Sequence, residues 1–177
     1  MRSIPTSEFL IWAAQRGIGP DTRYAEPRTL EFLDGRCKGG RWEYPSSPFE
    51  APVFVLDALD AIEPWHEMWA YRRFDTWRCT DEDEPAGRLC TFIFHALGIE
   101  PTDSITLIFS KSELDALATL ALATICFGWC VYDDLFLVPN HGRQILYFDH
   151  DEMLHVRCRE RDSFDRLLAK MGPVATG

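Results

Sequence analysis

The sequence predicts an α+β fold: a single domain over residues 1–177 in which an antiparallel sheet packs on a buried central helix, with short helices flanking it. Three observations predict it. From Ala116 to Tyr132 the chain carries no charge and repeats apolar residues at helical spacing. Around that stretch lie the short runs Ile105–Phe109, Leu135–Val138, Gln144–Phe148 and Met153–Cys158, which read as strands. Between two of these stands Asn140-His141-Gly142-Arg143, whose glycine suits the positive φ of a hairpin turn.

Taken in order, Ser7–Ala14 reads as a short helix capped by Thr6 or Ser7 and stopped by Gly17-Ile18-Gly19-Pro20. Pro27–Leu33 reads as a second helical piece ending at Gly35. Arg36–Pro52 holds Gly39-Gly40, Pro45, Pro48 and Pro52, the composition of a long loop or a pair of short edge strands. For Val53–Ile62, the β-branched start Val53-Phe54-Val55 favours a strand over a helix. Trp65–Trp77 alternates bulky and polar residues as a strand does, Thr80–Pro85 is a solvated turn, and Arg88–Leu97 is helical or extended up to Gly98. Ser110 and Glu113 form the S-x-x-E capping box that opens the central helix, Glu113–Gly128. Leu114, Leu117, Ala118, Ala121, Ile125 and Trp129 trace one face of that helical pattern, and Leu120, Ala123 and Phe127 cover much of another. A helix apolar on most sides must be covered on most sides. Leu135–Val138 and Gln144–Phe148 are expected to pair antiparallel, Met153–Cys158 adds a third strand, and Ser163–Met171 closes the chain as a helix capped by Asp162 or Ser163.

Hydrophobic residues at 46% and charged residues at 26% are ordinary for a globular chain. The charge is not. Net charge is −10, and all of it falls between Cys79 and Val156, where thirteen acidic residues face Arg88, Lys111 and Arg143. A second block, Trp42 to Tyr71, holds Glu43, Glu50, Asp57, Asp60, Glu63 and Glu67 with no Lys or Arg. Such a chain repels phosphate backbones and anionic headgroups and attracts cations, which argues against nucleic-acid and membrane partners. Six Cys without a C-x-x-C pair, behind an N-terminus that lacks a signal-peptide pattern, read as free thiols in a cytoplasm. The uncharged Ala116–Tyr132 stretch is only moderately hydrophobic and is flanked by acids on both sides, so a buried helix is expected there rather than a membrane span.

Potential proton carriers and metal ligands crowd together in one place, Asp149, His150, Asp151, Glu152 and His155. Strand alternation separates Asp149, Asp151 and His155 from His150 and Glu152, unless a turn at Asp151-Glu152 gathers them again. The adjacent carboxylates Asp133-Asp134 read as one ion-paired and one solvated group. Cys126 and Cys130, one helical turn apart, read as core. A cysteine nucleophile needs a cationic neighbourhood that this acidic segment lacks. There is no G-x-S-x-G, H-E-x-x-H, Gly-rich phosphate loop or G-x-G-x-x-G, and no cofactor is implied. Trp65 to Phe74 mixes Trp, Tyr, Met and Arg, the types enriched at protein interfaces.

In size, acidity and lack of a catalytic motif, the whole chain resembles the bacterial toxin-immunity proteins, many of which are compact acidic α+β domains that block a basic nuclease toxin. The resemblance implies a cytoplasmic protein-binding domain whose partner is a cationic protein such as a toxin, and favours binding over catalysis. On that reading Asp81, Glu82, Asp83, Glu84, Asp149, Asp151 and Glu152 steer the partner, and Trp65 and Trp69 anchor it. The alternative is a metal-dependent hydrolase with His150, His155, Asp149 and Asp151 as ligands.

Overall fold

Alternation of side chains along the strands gives the sheet two apolar faces, and different elements cover each. The computed structural model describes residues 1–20, 29–74, 85–99, 105–131 and 133–175. In chain order these form β1 (Arg2–Ile4), α1 (Thr6–Ala14), β2 (Ile18–Pro20), β3 (Leu30–Phe32), β4 (Lys38–Glu43), α2 (Ala51–Asp60), β5 (Glu67–Phe74) and α3 (Pro85–Ala96). There follow β6 (Ile105–Ser110), a 3-10 turn at Lys111–Glu113, α4 (Leu114–Val131), β7 (Asp133–Pro139), β8 (Gln144–Phe148), β9 (Met153–Cys158) and α5 (Arg161–Met171). A seven-stranded antiparallel sheet runs in the order β1-β6-β5-β7-β8-β9-β4, and β2 pairs with β3 in a small separate ribbon. The α+β class read from the sequence holds.

One sheet face carries Met68, Ala70, Leu107, Phe109, Leu135, Leu137, Leu146, Phe148, Leu154 and Val156, packed under α2, α3, α4 and α5. The central helix was legible because its cap is local: Ser110 donates to the Glu113 carboxylate from both its backbone N–H and its hydroxyl, each at 2.8 Å. Its own Leu117, Leu120 and Ala121 are fully buried. The helix runs past Gly128 to Val131, and no helix among the described residues is long and apolar enough to cross a membrane. The opposite sheet face carries Trp69, Tyr71, Ile108, Phe136, Val138 and Ile145, covered by Phe9 and Ala13 of α1 and by Leu30 and Phe32.

Several expectations change. Leu30–Phe32 is a strand, not part of a helix. Leu30 and Phe32 point to the core with Glu31 between them, and the three residues pair with Ile18–Pro20. The residues after Pro52 form a helix rather than a strand. Ala51, Val55, Ala58 and Leu59 recur at helical spacing and are buried, and Pro52 sits in the first turn, where its missing N–H costs nothing. Periodicity therefore outweighs the β preference of Val53 and Val55. β5 lies inside the sheet, paired with β6 on one side and β7 on the other. α1 begins after Pro5 and α5 after Glu160, neither with a side-chain cap, and Ser163 is buried inside the first turn of α5. The β7–β8 hairpin has the expected turn, with Gly142 at φ +66 against the Arg16 side chain, and Arg16 Nε donates to the Asn140 carbonyl at 3.1 Å.

Candidate functional site

The ligand-capable cluster sits at the end of the β7–β8–β9 meander, and the β8–β9 turn builds it. Glu152 adopts φ +65, the left-handed conformation that reverses the chain within four residues. Asp149 closes the reversal: its backbone N–H donates to the Met153 carbonyl at 3.0 Å, and its Oδ1 accepts from the Met153 N–H at 2.8 Å. Tyr44, just beyond β4, ties the turn down. Its N–H donates to the Glu152 carbonyl at 2.9 Å and its hydroxyl donates to the Asp149 carbonyl at 2.9 Å.

The turn does gather residues that strict alternation would separate, but into two pairs rather than one site. His155 Nε2 lies 2.6 Å from Asp149 Oδ2. His150 turns the other way, to Asp134 on β7: its Nδ1 lies 2.9 Å from Asp134 Oδ1, and its backbone N–H donates to the same oxygen at 3.3 Å. Asp134 is fully buried, and Arg73 Nη2 on β5 lies 3.2 Å from its Oδ2 as an ion pair. Asp134 is thus ion-paired, as one member of the Asp133-Asp134 dipeptide was expected to be. Asp151 is 82% exposed at its side chain and stays 3.8 Å from His150 Nε2.

The electrostatics follow from those contacts. The hydrogen bond to the Asp134 carboxylate holds the His150 pKa above its ordinary value against the opposing effect of burial. Burial first, then the carboxylates Asp134 and Asp149, push the Tyr147 phenol far up, so it stays neutral. The same three causes, burial leading, raise Tyr44. Tyr147 stacks on Phe136 at 4.3 Å and on His155 at 5.3 Å, carrying the aromatic core out to the dyads.

As chemistry, this arrangement orients two imidazoles, each against its own carboxylate. Among the described residues no three His, Cys, Asp or Glu side chains converge to hold a metal ion. The expected set His150, His155, Asp149 and Asp151 is divided instead, because each His answers to a different carboxylate. Burial raises the thiols of Cys126 and Cys158, Cys158 to about 11, the opposite of what a nucleophilic cysteine requires.

The remaining expected interface residues separate by depth. Trp65 and Trp69 are each 6% exposed, so they are core residues with little surface left to offer a partner. Trp69 stacks on Trp12 at 4.1 Å, and Lys111 Nζ lies 4.3 Å over the Trp65 ring. Asp149 is likewise buried, at 6%. Asp151 and Glu152 are exposed, and with Glu43 they rim a groove of ≈ 630 Å³ whose apolar walls come from Tyr44, Pro45, Ile125 and Met153. Asp81, Glu82, Asp83 and Glu84 lie outside the described residues. The sequence reading missed the link from Asp134 to His150. The signal was the hairpin register: Leu135 pairs with Phe148, and one further step sets Asp134 opposite Asp149, beside His150. It also missed Glu43 and Tyr44, which reach the turn through the pairing of β4 with β9. Compared with protein-family models, curated proteins and solved structures, the chain matches none.

Proposed function

We propose that this protein is a stoichiometric binding partner of a cationic protein: a cytoplasmic bacterial domain that neutralises a basic toxin, as the immunity proteins it resembles do. The observation that carries the proposal is the surplus of carboxylate over cation at the exposed rim. Glu43 and Glu152 make no ion pair among the described residues, and Asp151 has only the distant His150 imidazole, around a groove with apolar walls. Surplus carboxylates of this kind repel each other in the free protein, draw a basic partner in, and are relieved when it binds. Within this reading the two His–carboxylate dyads are scaffolding. They fix the turn that projects Asp151 and Glu152, and Asp81–Glu84 are further steering charges.

The product of the neighbouring reading frame is the first partner to test, by association kinetics at low and physiological salt. A one-to-one complex is expected whose on-rate falls about 10-fold or more as the Debye length shortens from about 30 Å to about 8 Å. Glu43→Lys with Asp151→Lys should slow association while leaving the melting temperature within about 2 °C, since exposed charges contribute little to stability. His150→Ala with His155→Ala should leave the groove free to bind wherever the fold survives. Stoichiometric metal in protein purified without added metal, lost in that double His variant, would overturn the proposal.

A further inference from the structure

Helix α2 is apolar on two sides. Its inner side, Ala51, Val55, Ala58 and Leu59, is buried in the core. Its outer side carries Val53, 59% exposed, and Leu56, 49%, one helical turn apart on one face, and Phe49, 90% exposed, stands in the turn that leads into the helix. Glu50, exposed, stands beside Phe49, and Asp57 and Asp60 stand at the far end, where Lys170 of α5 lies 3.6 Å and 3.0 Å away. From Trp42 to Tyr71 there is no Lys or Arg. Beside the helix opens a recess of ≈ 460 Å³ walled by Trp42, Phe54, Met171 and Val174, with Glu43 at its edge.

Charge selects the occupant of this face. A second copy docked through the same surface would set Glu50 and its neighbours against themselves, because a two-fold interface is self-complementary. An anionic lipid surface meets the same repulsion. The complement is a helix with one apolar side flanked by Lys or Arg. We propose that the outer face of α2, Val53 and Leu56, together with Phe49, Glu50 and Glu43 in the connection before it, is a docking surface for a cationic amphipathic helix of a protein partner. This rests on the protein-binding function proposed above and adds a location and a shape to it.

The test uses a fluorescent peptide of about 18 residues, Leu on one helical face and Lys elsewhere, against a scrambled peptide of the same composition. Anisotropy titration at low salt should show wild-type protein binding the patterned peptide about 10- to 100-fold more tightly than the scrambled one. Phe49→Ser/Val53→Ser/Leu56→Ser should erase that preference while both peptides still bind weakly through charge. Because all three side chains are exposed, the variant should keep its melting temperature; if it does not, Phe49→Ser alone, in the turn before the helix, gives the same reading at smaller amplitude. A triple variant that keeps the wild-type preference overturns the docking surface and leaves the protein-binding function standing. No binding of either peptide by any form overturns both. A wild-type dimer in sedimentation that the triple variant dissolves assigns the face to a second copy, and overturns the proposal too.

Discussion

Arg73 and Asp134 face each other across the centre of the sheet, and removing either should expose how much the buried pair contributes. Their side chains are 9% and 1% exposed, so water does little to screen them. Arg73→Met leaves the Asp134 carboxylate with only His150 and Tyr147 to answer it, at a cost of about 3–5 kcal/mol. For a chain of this length that lowers the melting temperature by about 6–20 °C. Arg73 has further contacts, so the single variant overstates the pair. A cycle with Asp134→Asn isolates it, and the coupling energy should fall at about 1–3 kcal/mol. Urea unfolding of the four proteins at pH 7 measures the cycle. A coupling below about 0.5 kcal/mol would refute the argument that a buried ion pair anchors β5 to β7.

Trp69→Ala removes a buried ring stacked on Trp12 and Phe9, and should destabilise by about 3–5 kcal/mol in thermal or urea melts. In a partner assay its off-rate should match the wild type wherever the protein is folded. His150→Asn should cost more at pH 5 than at pH 8. The folded pKa of His150 is raised by Asp134, so its contribution is fully present below the unfolded value of about 6.5 and is lost as pH rises through the folded one. Burial lowers His141, which acts in the opposite sense, but both proteins contain it and the comparison cancels it. Cys158, buried and raised to about 11, should alkylate at pH 8 much more slowly than the half-exposed Cys37, as mass spectrometry of a timed reaction would show.

The parts of this fold that were legible in the sequence are those whose causes are local. The Ser110–Glu113 box lies within four residues, Gly142 supplies its own turn, and the β9 alternation needs no partner to be seen. What was hidden depends on distant pairing. Leu30–Phe32 becomes a strand only because Ile18–Pro20 lies beside it. The Trp65–Phe74 run reads as a half-buried strand, yet β6 and β7 flank it and cores of both faces cover it, so Trp65, Trp69 and Tyr71 are interior. The same distance explains the site. Within the turn, Asp149 and His155 were visible as neighbours, whereas Arg73 and Asp134 are brought together by a strand pairing across sixty-one positions of sequence. The exposed stripe on α2 was hidden for a different reason. Val53-Phe54-Val55-Leu56 is apolar without a gap, and such a run does not say which of its residues face water.

The distribution of cations gives the acidic surface its meaning. Arg73, Arg143, Arg157, Arg159, Arg166 and Lys170 each stand in an ion pair with a carboxylate. Several of those pairs join distant elements: Arg159 reaches Asp34, Arg157 reaches Glu31, and Arg143 and Arg166 meet at the buried Glu63, to which Ser163 also donates. With these cations committed to cross-links, Glu43, Glu50 and Glu152 are left without an ion partner among the described residues, on or beside the β4–α2 connection that leads into the apolar stripe. Self-repulsion there costs the free protein stability, and a partner that binds only the folded state returns it in proportion to its concentration over its dissociation constant. Apolar exposure and uncompensated charge of one sign on the same connection are each unfavourable alone. Together they are relieved by one kind of contact, a basic surface with an apolar ridge.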